Sequence, residues 1–162
     1  MRIRYSTLIL ASVTLLVLVL SAPASLRDAY DRGGVYLLSH DFFADIPKRL
    51  LGPGRFRFIL QPLIATILGI RNGMADARVG RPPYLWGVLY HGNLRGELIK
   101  SSFKTVANLL LMGILMDSVA QWLILGISYS GAALVVGPVL VMGPYVVARA
   151  LSNRVVRLRR GA

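Results

Sequence analysis

Apolar residues in this chain fall into blocks. They do not alternate as in a half-buried strand, nor recur at the spacing of an amphipathic helix. Two long blocks, 106–127 and 131–148, are separated only by Ser128, Tyr129 and Ser130. Roughly 20 apolar residues make a helix long enough to cross about 30 Å of hydrocarbon. The pattern predicts an antiparallel transmembrane hairpin over 105–150, closed by a tight turn.

The other blocks are read with the same ruler. Residues 1–24 begin with Arg2 and Arg4, continue through the apolar stretch 8–20 and reach Ala22, Pro23, Ala24 and Ser25. A basic start, an apolar middle and an Ala-x-Ala-like site resemble a secretory signal peptide. The same residues suffice for a span, and Pro23 makes a poor cleavage context, so the segment is read as a retained N-terminal anchor. In 25–55 acids and bases are interspersed, and Gly33-Gly34 and Gly52-Pro53-Gly54 break the segment. Between those breaks 35–51 has near-helical apolar spacing, interrupted by Pro47, and reads as a short interfacial helix. Residues 56–80 predict a short spanning or re-entrant helix, because Arg57, Gln61 and Pro62 shorten its apolar part and Arg81-Pro82-Pro83 stops it. Residues 81–104 read as a basic loop and 151–162 as a basic tail. The expected class is all-α, a polytopic set of membrane helices.

Charge changes the picture in one respect. The 162 residues carry 19 Lys plus Arg against 7 Asp plus Glu, a net charge of +12. In a soluble chain this balance would suggest nucleic acid. Here the bases lie beside the apolar blocks, where they hold helix ends in the cytoplasm and meet anionic headgroups. The expected partner is therefore an anionic bilayer and not nucleic acid, with Arg78, Arg81, Trp86, Arg154 and Arg157 as headgroup contacts. Residues 71–104 and the C-terminal tail are placed in the cytoplasm. There is no cysteine, which excludes disulfides and thiolate chemistry.

The candidate site is Asp117, near the middle of the first hairpin block. A carboxylate at membrane depth costs at least ~2.5 kcal/mol on insertion scales and needs a reason to be there. On a helix Gly113, Asp117, Gln121 and Ser128 share one stripe, and small and polar stripes face other helices. The second hairpin helix carries Pro138 and Pro144, each of which frees a carbonyl four residues earlier. The expected arrangement is a polar seam. A protonated Asp117, with Gln121, donates to the carbonyls of Leu134 and Leu140 in a proline-broken helix, level with about residue 140. No second charge at that depth is evident unless Arg57 or Arg71 is brought close.

Other chemistry is sparse. His40 with Asp41 and Asp45, and His91, lack zinc-ligand spacing. Ser39, His40 and Asp41 are sequential neighbours and cannot form a triad. No glycine pattern cradles phosphate. No cofactor is expected.

Several residues from Phe58 onward carry a resemblance: Gln61-Pro62, Gly69-Ile70-Arg71, Asp76-Ala77-Arg78 and 80–86. Asp117 with Gln121, Pro144-Tyr145, Arg149 and Asn153-Arg154 complete it. This part of the chain, 58–154, resembles a family of small bacterial polytopic inner-membrane proteins of uncharacterised function. The resemblance implies a multi-pass bacterial inner-membrane protein and supplies no activity. The leading expectation is a non-enzymatic structural or accessory component that packs within itself, against a protein partner or as a homo-oligomer. The alternative is a small transporter or channel component lining an oligomeric path with Asp117, Gln121 and Ser128.

Overall fold

The apolar blocks become helices that outrun them. The structure, a computed structural model, describes residues 5–161; Arg2 and Arg4 lie outside the described residues. In chain order it consists of α1 (Tyr5–Arg32), α2 (His40–Ala44), α3 (Ile46–Leu51), α4 (Arg57–Arg78), α5 (Tyr84–Tyr90), α6 (Gly92–Leu125) and α7 (Ser130–Gly161). Among the described residues there is no strand, so the chain is all-α. Four helices, α1, α4, α6 and α7, are long and apolar enough to cross a membrane, which supports a multi-pass membrane protein. The ambiguous segment after residue 56 is thus one of the four.

Two compact units can be distinguished. The first combines the residues up to Ile59 with Leu110–Val139; the second combines Leu60–Leu109 with the residues from Leu140 onward.

In the first unit α1 buries only Thr14 and leaves Ile9 65% and Leu20 69% exposed. Apolar side chains turned outward on most sides are what a lipid solvent favours. Small polar residues dock this helix. Thr14 Oγ1 donates to the Leu10 carbonyl at 2.7 Å and approaches that of Leu111 at 3.4 Å, and the Ser21 and Ser130 hydroxyls lie 2.8 Å apart. The predicted interfacial helix is two pieces. Ser39 caps α2, accepting from the Phe42 amide at 3.2 Å, and Pro47 falls in the first turn of α3, where its missing amide costs nothing. A stacked pair, Tyr36 on Tyr129 at 3.7 Å, joins this segment to the α6–α7 turn, with Phe42 set edge-on to Tyr36.

The hairpin register differs from the expectation. Gly126 has φ +73°, a conformation that ends α6 at Leu125, before Ser128 is reached. The turn therefore comes earlier in the sequence, and Gly137 lies against the backbone of Gly113 and Ile114. A Cβ at position 137 would come within 2.7 Å of the Ile114 nitrogen, so only glycine permits this approach. Asp117 is consequently level with about residue 133, not 140. It also lies eight residues, roughly 12 Å, from the end of α6, and not at the helix centre.

In the second unit, residues expected to be loop or tail are helical. The polar stretch 92–104 is the start of α6, and 151–161 continues α7. Leu98, Ser102 and Val106 recur every four residues and are buried, and that face holds the stretch in a helix. Pro138 and Pro144 leave α7 unbroken: it runs from Ser130 to Gly161.

Candidate functional site

Asp117 lies in the first unit with none of its surface exposed, and Gln121, one turn on, is equally buried. Its carboxylate does not serve as a donor to proline-freed carbonyls. One oxygen, Oδ1, faces Nη2 of Arg57 at 2.8 Å. The other, Oδ2, accepts from Gln121 Nε2 at 2.5 Å and faces Nη1 of Arg49 at 3.6 Å. The expected donor role is therefore corrected: both oxygens face nitrogen donors, because two guanidiniums reach the acid from elsewhere in the chain. Arg57 opens α4 and Arg49 sits in α3, and both side chains are almost fully buried.

The seam members have separate jobs. Gln121 bridges the acid to the turn: its Oε1 accepts from the Tyr129 amide at 2.9 Å, satisfying a donor just before α7 begins. Arg57 donates through Nη1 to the Met116 carbonyl at 3.0 Å and lies over the Phe58 ring at 4.8 Å. The Arg57–Asp117 contact is an approach of charges without an aligned hydrogen bond at that atom pair. Ser128 is buried, yet it follows the end of α6 and does not extend the stripe; its hydroxyl has no hydrogen-bond partner among the described residues.

Arg49 links the acid to the turn region. Its Nη2 donates to the Tyr36 hydroxyl at 3.3 Å, and its guanidinium lies 5.4 Å from the Phe42 ring centre. The Tyr36 hydroxyl in turn donates to Asp45 at 2.8 Å, and Lys48 donates to the other Asp45 oxygen at 2.8 Å. Burial pushes the Tyr36 phenol up to about 12, and the hydrogen bond to Asp45 adds to the shift. Burial acts to raise Asp45, but the Lys48 and Tyr36 hydrogen bonds outweigh it and hold the carboxyl below its usual range.

The second unit has its own buried arginine. Arg149 is 2% exposed and donates to Asp76 at 2.7 Å, Ser102 at 2.8 Å, the Tyr145 hydroxyl at 3.0 Å and Ser101 at 3.1 Å. The Tyr84 ring lies 4.8 Å from its guanidinium. Sequence reasoning gave Arg149 no role in a site and missed it. The available signal was Asp76, one of only two acids in the basic stretch 71–104, together with a base set among apolar residues of α7.

The expected headgroup residues divide. Arg81 turns to acids, pairing with Glu97 and lying 3.6 Å from Asp76. Arg78 is exposed. Trp86, whose ring lies 4.1 Å from that of Tyr90 and tilted 32° to it, shares a cavity of about 730 Å³ with Arg154 and Arg157. Among the described residues no group of three His, Asp or Glu side chains is placed to hold a metal ion.

Comparison with family models, curated proteins and solved structures gives no match. Function must therefore be argued from the geometry alone.

Proposed function

We propose that this chain is a non-enzymatic integral protein of the bacterial inner membrane, a structural or accessory component whose buried charges specify helix packing. One observation carries the reading. Both oxygens of Asp117 are engaged by Arg57, Arg49 and Gln121 of the same chain, and the acid has no exposed surface. A group that binds and releases a passing ion needs access; a fully enclosed one fixes register. The absence of a nucleophile–base pair in the sequence agrees with a non-catalytic role. Residues 71–104 and the C-terminal end of α7 are assigned to the cytoplasm on the positive-inside bias of their arginines and lysines.

The test is purification from native membranes in mild detergent, followed by reconstitution. The reading expects a stoichiometric membrane-protein partner or a defined homo-oligomer, and no proton or ion flux from liposomes containing the chain alone. The transporter alternative is favoured by one feature, the excess of two buried guanidiniums over one carboxylate. A measurable flux that Asp117→Asn abolishes in a folded, inserted protein would establish that alternative and end the packing account.

A further inference from the structure

The cavity of about 730 Å³ in the second unit has a composition that neither the packing seam nor general helix anchoring requires. Its volume lies in the range of sites for small molecules and cofactors, roughly 300–1,000 Å³. One wall comes from α7, where Val147, Leu151 and Arg154 follow each other at helical spacing, so an apolar stripe runs into a basic end. Arg157 lies one turn beyond Arg154. The facing wall comes from α5 and presents Leu85 and Trp86. Leu85, Trp86, Val147 and Leu151 are each roughly half exposed, so large apolar side chains are left open inside a concave surface. Arg154 and Arg157 are exposed and make no ion pair among the described residues, while Arg81, Arg149, Arg57 and Arg49 all have acids beside them.

We infer that this groove is a binding site for one anionic phospholipid. The phosphate is held by Arg154 and Arg157, an acyl chain lies along Val147 and Leu151, and the Trp86 ring covers the junction. The occupant follows from complementarity. An apolar slot ending in two unneutralised arginines matches a ligand with a hydrocarbon body and an anionic head. A neutral lipid would leave the arginines unanswered, and a water-soluble phosphate would leave the apolar walls bare. A tryptophan at the boundary sits where its ring faces hydrocarbon and its N–H faces the headgroup. This inference needs α7 to cross a membrane; it does not depend on the role of Asp117.

The chain has two tryptophans, and Trp122→Phe makes Trp86 the sole reporter. The full chain carrying that change is reconstituted in phosphatidylcholine bilayers containing a few per cent of lipid with brominated acyl chains, either phosphatidylglycerol or phosphatidylcholine. Brominated phosphatidylglycerol is expected to quench Trp86 with an apparent affinity about 25-fold higher than the neutral lipid, about fivefold for each arginine. Arg154→Gln with Arg157→Gln should abolish the preference. Arg154→Lys with Arg157→Lys should retain most of it, which separates loss of charge from loss of fold. Arg71→Gln, which removes an exposed arginine that does not line the groove, should leave it intact. Equal quenching by the two lipids would overturn the inference. So would a preference lost equally in Arg71→Gln, since the attraction would then be a diffuse field and not a site.

Discussion

Removing Asp117 should damage this protein more than removing either of its arginine partners, because the partners are unequal in number. The native cluster holds one carboxylate and two guanidiniums. At an effective dielectric of about 20, the gross attraction is about 6 kcal/mol for Arg57 at 2.8 Å and about 5 kcal/mol for Arg49 at 3.6 Å. Desolvation offsets most of either term, so the informative quantity is the charge left stranded. Arg57→Gln leaves Asp117 with Arg49 and Gln121, a balanced pair, although the hydrogen bond to the Met116 carbonyl is weakened. The expected loss is about 1–2 kcal/mol. Asp117→Asn leaves two buried guanidiniums facing each other with no acid, and the expected loss is about 3–5 kcal/mol.

The double variant Asp117→Asn with Arg57→Gln retains a single stranded arginine. It should therefore be more stable than Asp117→Asn alone, a departure from additivity of about 2 kcal/mol or more. The assay is reversible unfolding of the purified protein in mixed micelles, titrated with a denaturing detergent and scored as a double-mutant cycle. Equal losses for the two single variants, or a double variant as unstable as their sum, would refute the charge argument.

Three further outcomes are expected. Gly137→Ala should cost about 1–3 kcal/mol, since its Cβ would meet the Ile114 nitrogen at 2.7 Å and the Gly113 carbonyl carbon at 2.8 Å, backbone that cannot turn aside; Gly143→Ala, which meets nothing within 4 Å, should melt like the parent. Arg149→Lys should lower stability by about 2 kcal/mol in a thermal melt, because a single ammonium cannot serve Asp76, Ser101, Ser102 and Tyr145 together; a wild-type melting point for this variant would show that the network is not what holds that packing. Stability should fall at high pH through Tyr36. Its phenol is held neutral up to about 12 in the folded state against 10.0 in the unfolded chain, so its contribution is complete below pH 10 and is lost as pH rises through 12. Tyr36→Phe should flatten that decline, and an unchanged profile would count against it.

Hydropathy made α1, α6 and α7 legible and left α4 between a spanning and a re-entrant helix, and it did not give the helix ends. An apolar block marks where a helix meets lipid; it is silent about residues that stay helical after leaving it. Residues 92–104 are polar on average, and their helicity rests on the buried stripe of Leu98, Ser102 and Val106, too sparse to stand out among lysines and glycines. The turn was misjudged for a local reason: Gly126 was treated as part of the apolar run, whereas its left-handed backbone ends α6 there. That shift moved the register opposite Asp117. The site itself was half legible. An acid among apolar residues declares that it must be buried against something, and Gln121 one turn on is a visible neighbour. Arg57 and Arg49 lie some sixty residues earlier in the chain, and no local pattern encodes which distant base will meet a given acid. The same holds for Arg149 with Asp76.

The positions of the partners bear on how such an acid can be inserted at all. Arg57 is the first residue of α4, and Arg49 lies in the six-residue α3, outside the four long helices. Both can wait in the interfacial region, where a charge stays hydrated, while the long helices enter the membrane. Asp117, in contrast, lies well inside a long apolar helix from the outset and must bear its insertion cost unaided, at least ~2.5 kcal/mol. Apolar contact between helices gives little selectivity in lipid, since the tails are as apolar as the side chains. An unanswered acid does give selectivity, because packings that leave it without Arg57, Arg49 and Gln121 keep its cost and the native packing does not. The carboxylate is therefore useful because it is unfavourable alone. Arginine suits both partner positions, because its long stem carries a planar charged fork from α3 and from the first residue of α4 to the buried acid.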